Sequence, residues 1–266
     1  MKPLAAWPAA ERRRIAYLFT DIDDTLTLDG KLPAVAYTAL ERLAAAGIRV
    51  VPITGRPAGW CDHIARFWPV AGIVGENGAL WFRYDPQKRR LLRRYLYDTE
   101  TRARFRSRLE AIGRRILEAI PGTALASDQL YRESDLAIDW CEDVAPLDEA
   151  AVDRIVALLE AEGCRVKVSS IHVNAWFGDY DKLSMTRLFV REVFAAELEE
   201  LMDSCCFVGD SPNDEPMFAC FPNAVGVANL RRFAARLRSL PAYVTERPGG
   251  LGFAELAEAL LDARDG

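Results

Sequence analysis

Short apolar runs alternate with longer amphipathic stretches along most of the chain. Residues 15–19, Ile-Ala-Tyr-Leu-Phe, form an apolar run of strand length that stops abruptly at Thr20 and three acids. Residues 26–32 contain Asp29-Gly30, a turn signal that predicts a short hairpin-like flap. Residues 33–46 place Val35, Leu40, Leu43 and Ala44 at helical spacing, and Gly47 closes that helix. A second apolar strand, 48–53, runs into Thr54-Gly55-Arg56-Pro57, with Pro57 suited to open a helix reaching about Phe67. Residues 72–75 read as a short strand, followed by Glu76-Asn77-Gly78 and the apolar Leu80-Trp81-Phe82. Strand and helix in strict alternation predict a parallel sheet with helices on its faces.

The rhythm changes after this. Residues 88–94 are basic, and 99–120 read as one Arg-rich helix with Phe105, Leu109, Ile112, Ile116 and Leu117 on its apolar side. Strands are predicted over 136–140, 165–169 and 171–177, with a helix over 148–162 closed by Gly163. This block reads as a smaller α/β module inserted into the first. The first module resumes with a helix over 181–200 and a strand over 205–208 that ends in Gly209-Asp210-Ser211-Pro212-Asn213-Asp214. A strand at 225–227, a helix at 232–237, a strand at 243–244 and a helix over 250–261 complete it. The expected organisation is a doubly wound parallel-sheet core from residues 1–83 and 180–266 with an inserted α/β domain over 84–179. Residues 1–14, with two prolines, are expected to be a loosely packed lead-in.

Composition narrows the function classes. Half of the 266 residues are hydrophobic, enough for a packed core. The net charge of −5 gives no reason to expect nucleic acid or an anionic membrane as partner, and the arginines of 99–120 have Glu100, Glu110 and Glu118 beside them, as on a solvated face. Six scattered cysteines and two histidines, His63 and His172, offer no zinc-like spacing, so free thiols are expected. No apolar leader segment precedes Glu11-Arg12-Arg13-Arg14, and no run approaches membrane-spanning length. A soluble cytoplasmic protein is expected, as a monomer or homodimer.

The chemistry lies at the strand ends. Asp21 and Asp23 are two apart, so on extended backbone their carboxylates point the same way and suit a hard cation or an acid/base pair. Taken together, Asp21-x-Asp23-x-Thr25, Thr54-Gly55-Arg56, Lys182 and Gly209-Asp210-Ser211-Pro212-Asn213-Asp214 occur in a fixed order, three of them each just past an apolar strand. That set resembles the four signature motifs of the haloacid dehalogenase superfamily, most of whose members are magnesium-dependent phosphatases. The resemblance spans almost the whole chain, because the insertion between Thr54 and Lys182 is similar to the superfamily's type-two α/β cap, as in sucrose-phosphate, mannosyl-phosphoglycerate and Cof-type phosphatases.

The resemblance implies roles for these residues. Asp21 would be a nucleophile forming an aspartyl-phosphate, and Asp23 an acid that protonates the leaving alkoxide and then a base for water. Mg²⁺ would be held by Asp21, the Asp23 carbonyl and Asp210. Lys182, Thr54 and the Gly55 N–H would meet the phosphate, and Asp214 would orient Lys182 or hold a metal-bound water. Asn213 would reach the phosphate or the metal shell, and Arg56 would bind substrate or form a structural ion pair. In the cap, Arg132-Glu133 resembles a substrate-contacting pair, and His172, Asn174 and Trp176 alternate on one strand face that would line the crevice or, for Trp176, the core. Asp24 departs from the pattern, since glycine commonly follows the second Asp; Asp tolerates unusual backbone angles. The activity implied is hydrolysis of a small phosphorylated metabolite, a sugar phosphate or phosphorylated glycoside. A phosphomutase, or a non-catalytic phosphosugar-binding regulator, is the alternative.

Overall fold

The computed structural model describes residues 1–169 and 171–265. Its strands are β1 (Lys2–Pro3), β2 (Tyr17–Thr20), β3 (Arg49–Pro52), β4 (Ile73–Gly75), β5 (Leu80–Asp85), β6 (Arg90–Tyr95), β7 (Ala124–Leu125), β8 (Asp135–Asp139), β9 (Arg165–Val168), β10 (His172–Trp176), β11 (Cys205–Gly209), β12 (Ala224–Gly226) and β13 (Tyr243–Val244). The α-helices are α1 (Ala9–Arg12), α2 (Ala34–Ala45), α3 (Ala58–Phe67), α4 (Thr99–Ala119), α5 (Glu149–Ala161), α6 (Lys182–Phe189), α7 (Glu215–Cys220) and α8 (Gly249–Asp265). None among the described residues is long and apolar enough to cross a membrane.

The core is a six-stranded parallel sheet in the order β1-β13-β12-β11-β2-β3. Both its faces are covered, which is why its strands read as unbroken apolar runs. Leu18 and Val50 face one cluster with Leu40 and Leu43 of α2 and Phe253, Leu256 and Leu260 of α8. Phe19 and Val51 face the other with Met185 and Phe189 of α6 and Met217 and Phe218 of α7. From β2 the chain crosses through α2 to β3 on one side, and from β11 through α7 to β12 on the other. The strand order therefore diverges between β2 and β11, and ligands bind outside the carboxyl ends of strands at such a point.

A smaller antiparallel sheet, β7-β8-β10-β9, forms the cap. Leu136, Ile138, Val173 and Ala175 turn one of its faces to α4 and α5. The alternate residues, His172, Asn174 and Asp135, are also buried, but on the face turned to the core. A three-stranded sheet, β4-β5-β6, joins the two, and β5 continues unbroken through residue 84 with Leu91 and Tyr95 packed on the core cluster.

Two expectations change. The lead-in is not loosely packed: β1 pairs in parallel with β13, Trp7 is buried and stacks on Tyr243 at 5.0 Å, and Arg12 and Arg13 donate to carbonyls of α8. A two-residue edge strand is too short for periodicity to reveal. The helix predicted over 181–200 ends at Phe189; a π-turn over Val190–Phe194 leads to left-handed Ala195 (φ 55°), and a 3₁₀ segment, Leu198–Ser204, follows. The flap does form, with Leu28 bridging Lys31 across left-handed Asp29 and Gly30.

Candidate active site

Asp21 follows directly on β2, and its N–H donates to the Val208 carbonyl of β11 (2.9 Å), which fixes it at the divergence of the sheet. Its Oδ1 lies 2.6 Å from Lys182 Nζ, whose other partner is Asp214 Oδ1 at 2.9 Å. Lys182 is the first residue of α6, and a capping box between Asp181 and Ser184 sets that helix start and so aims the lysine. Asp214 also accepts the Asp210 N–H through Oδ2 (3.2 Å), so one carboxylate ties the lysine to the loop after β11. Asp210 accepts from Thr25 Oγ1 and from Asn229 Nδ2, each at 3.3 Å. Asn229 donates at 2.9 Å to the carbonyl of Asp24 as well, and Asp24 sits in the left-handed region (φ 57°), a conformation glycine adopts freely and Asp tolerates.

Carboxylate oxygens of Asp21, Asp210 and Asp214 lie within 4.8 Å of one another, all three residues buried. Lys182 is the only ammonium bonded to them among the described residues. Burial raises Asp21 to about 7, with Asp214 and Asp23 adding to it and Lys182 opposing it. Burial, then the charges of Asp214 and Asp21, also hold Asp210 well above the usual carboxylate range. Burial disfavours the Lys182 charge, but the two carboxylates outweigh it and keep the ammonium above its ordinary value. Three buried acids against one base leave a deficit of positive charge. An all-oxygen donor set of this kind fits a hard divalent cation such as Mg²⁺.

Asp23 does not share Asp21's surroundings. The chain turns after Asp21, and the Asp23 carboxylate is taken by Arg56, with Nε 3.1 Å from both oxygens and Nη2 2.9 Å from Oδ1. Arg56 also reaches two cap acids, Glu142 (3.3 Å) and Asp128 (3.5 Å), and lies over the Trp60 ring at 4.6 Å. Glu142 lies 2.8 Å from His172 Nε2; that close contact, and the charge of Arg56, hold Glu142 down to about 2 against its partial burial. Arg56 thus makes an ion pair across the cap–core boundary. Thr54 is buried and its Oγ1 accepts the Arg56 N–H (3.0 Å), an arrangement that uses the oxygen as acceptor and keeps the hydroxyl proton for donation. Gly55 and Asn213 line the crevice between core and cap with Asp21, Asp23 and Asp210; Asn213 Oδ1 accepts from Ser211. The crevice encloses about 40 Å³.

The cap residues part company. Arg132 is buried on the crevice wall, paired with Asp128 (3.1 Å) and Asp135 (3.0 Å) and donating to the Gly55 carbonyl (3.0 Å). Glu133 is not brought to the crevice; its carboxylate goes to Arg102 (2.6 Å) and its backbone N–H to Glu76. His172 and Asn174 line the crevice, whereas Trp176 stacks on Tyr180 at 5.5 Å beside an adjoining cavity.

Sequence reasoning passed over Glu76, Asn77, Asp128, Glu142 and Lys167. Glu76, wholly buried, accepts backbone N–H groups from Ala58 in the core and from Glu133 and Ser134 in the cap, between 2.6 and 2.9 Å. Burial and the nearby Asp135 raise its carboxyl to about 8 against those bonds. Asn77, left-handed at φ 55°, is buried with its Nδ2 unpartnered among the described residues. The signal was available, because Glu76-Asn77-Gly78 also follows a strand end, β4.

Comparison with known proteins agrees with this geometry. Residues 18–109 match the haloacid dehalogenase-like hydrolases. A Pyrobaculum neutrophilum protein named phosphoglycolate phosphatase is 30% identical over 250 residues, covering 92% of this chain and 95% of that one. A crystal structure from Thermoplasma acidophilum superposes with a TM-score of 0.71 at 17% identity, over 93% of this chain and 98% of that one. The sucrose-phosphatase of Synechocystis, solved with sucrose and phosphate, gives 0.63 at 16% identity over 93% and 98%.

Proposed function

The chain belongs to the haloacid dehalogenase superfamily and is a phosphatase of that family; from this we propose that it hydrolyses a small phosphate monoester with Mg²⁺, through a phosphoryl group carried on Asp21. The observation that carries the reading is the buried contact of Asp21 with Lys182 and Asp214, at the point where the strand order diverges and beside Asp210. A phosphate dianion repels an anionic nucleophile, and a binder has no use for a carboxylate buried in that position.

Asp21, Asp210 and the Asp23 backbone carbonyl would hold the cation, which supplies the charge that lets a carboxylate approach a phosphate dianion. Asp21 attacks phosphorus, the leaving oxygen departs with a proton from Asp23, and Asp23 then takes a proton from the water that releases phosphate. Lys182 offsets charge on the phosphoryl oxygens, while the Thr54 hydroxyl and the Gly55 N–H donate to them. Arg56 orients the Asp23 carboxylate, which suits the step in which Asp23 takes a proton from water. The name of the Pyrobaculum relative makes phosphoglycolate a candidate ester beside the sugar phosphate or phosphorylated glycoside.

Two asparagine variants test the division of labour. Asp21→Asn should abolish turnover and trap no phosphate. Asp23→Asn should lose about 10²–10⁴-fold on an alkyl ester, much less on a nitrophenyl ester, and should accumulate phosphate on the Asp21 peptide, read by mass spectrometry. Equal loss on all esters, with no phosphate trapped by either variant, would overturn the covalent route.

A further inference from the structure

The turn Glu76-Asn77-Gly78 has an unusual shape: all three residues have positive φ, at 46°, 55° and 108°. In non-glycine residues such backbone persists only where the surroundings hold it. Those surroundings include three parts of the site. The Glu76 and Asn77 N–H groups donate to the carbonyls of Arg56 and Thr54, each at 3.1 Å, and the Asn77 side chain lies against Gly55. Gly78 approaches the Asp181 carbonyl so closely that no Cβ fits, and Asp181 caps the helix that begins at Lys182. The buried Glu76 side chain makes the third connection. Its Oε1 accepts from Ala58 (2.9 Å), the first residue of α3, whose cap residue Pro57 supplies no side-chain acceptor. The same oxygen accepts from Glu133 (2.8 Å), and Oε2 accepts from Ser134 (2.6 Å). Capping α3 uses only the first of these bonds; the other two tie down the cap.

We infer that Glu76 is a positioning residue: its carboxylate makes docking of the cap and placing of the Thr54, Gly55 and Lys182 donors one event. This rests on the phosphatase reading above. Three N–H donors on two oxygens call for an ionised carboxylate. A glutamine of the same shape has one acceptor oxygen, and its NH₂ faces either Ser134 or the donors of Ala58 and Glu133. A buried donor left without an acceptor is costly, so the cap segment 133–134 lets go and the turn it steadies relaxes with it. The effect reaches the reaction because phosphoryl donors work only where the transition state needs them, and a shift of about 1 Å costs about a hundredfold. Burial and Asp135 raise the Glu76 carboxyl to about 8. A protonated carboxyl, like the amide, turns one acceptor into a donor, so the clasp is complete only above that pH. Among the groups around it, burial keeps the Cys61 thiol and the Tyr95 and Tyr180 phenols neutral, and Arg132 stays charged. Asp135, its carboxyl also raised by burial, titrates with Glu76.

The test measures p-nitrophenyl phosphate turnover by the full chain with Mg²⁺ at about pH 9, together with amide hydrogen exchange by mass spectrometry. Glu76→Gln should lose about tenfold to a hundredfold in kcat, with the smaller change in KM. Peptides holding Ala58, Glu133 and Ser134 should lose protection while those of the core sheet keep theirs. At about pH 6.5, where the wild-type carboxyl is protonated, the kcat values of the two proteins should converge. If Glu76→Gln does not fold, the wild type alone decides: the same amides should gain protection, corrected for intrinsic exchange, between those two pH values. A variant that is less heat-stable but keeps wild-type kcat at about pH 9, or amides whose protection ignores pH, overturns the inference while the phosphatase reading stands. No turnover by the wild type overturns both.

Discussion

Replacing Lys182 with Met tests the electrostatic account of the site most directly. The lysine is buried and touches two buried carboxylates, at 2.6 and 2.9 Å, with a third beside them. Methionine fills similar volume but supplies no charge, so removing one partner of a buried pair should cost about 3–5 kcal/mol. Against a total stability of about 5–15 kcal/mol, that loss leaves the variant folded but plainly weakened. The pH dependence follows from Asp21. Its folded-state value, about 7, lies above the unfolded 3.8, so its contribution is fully present below about 3.8 and is lost as pH rises through 7. Lys182 opposes that rise in the wild type; without it the carboxyl titrates still higher, and the loss at alkaline pH deepens. Urea unfolding followed by circular dichroism, in chelator, should therefore show the full deficit at pH 8 and a smaller one at pH 5. A deficit under about 1 kcal/mol at pH 8, or one that grows on acidification, would refute the reasoning.

Other outcomes follow from the same geometry. Asp210→Ala should shift the Mg²⁺ dependence of activity by more than the roughly 10–100-fold typical of losing an outer-shell partner, and excess chelator should silence the wild type; full activity in chelator would contradict a metal site at Asp21 and Asp210. Arg132→Ala leaves Asp135 buried without its cation and removes the donor to the Gly55 carbonyl, so urea unfolding should register a loss of about 3–5 kcal/mol with every ester affected. A stable variant altered only in ester preference would instead restore the substrate-contacting role expected from sequence.

Local pattern was enough to place most of what the core does. Apolar runs of strand length, each ending in Asp, Thr-Gly or Gly-Asp, located Asp21, Thr54 and Asp210, because a strand covered on both faces leaves an unbroken apolar record. The tolerance of Asp24 for a left-handed backbone was likewise a local property, and the structure places it there. Alternation on β10 marked His172 and Asn174 as one face for the same reason.

What the sequence could not supply were pairings between residues far apart in the chain. Arg56 finds Glu142 and Asp128, 86 and 72 positions away, only because cap and core close on each other. Glu76 reads as part of a turn until its carboxylate is seen holding backbone N–H groups from both halves of the molecule. Glu133 leaves the crevice because Arg102 on α4 offers a partner on the far side. The paired N-terminal edge, β1 with Trp7 on Tyr243, depends on a strand more than two hundred residues later. Ion pairs and edge pairings depend on three-dimensional distance and burial. The order of residues fixes neither until the sheet divergence between β2 and β11, and the cap above it, have set where each side chain stands.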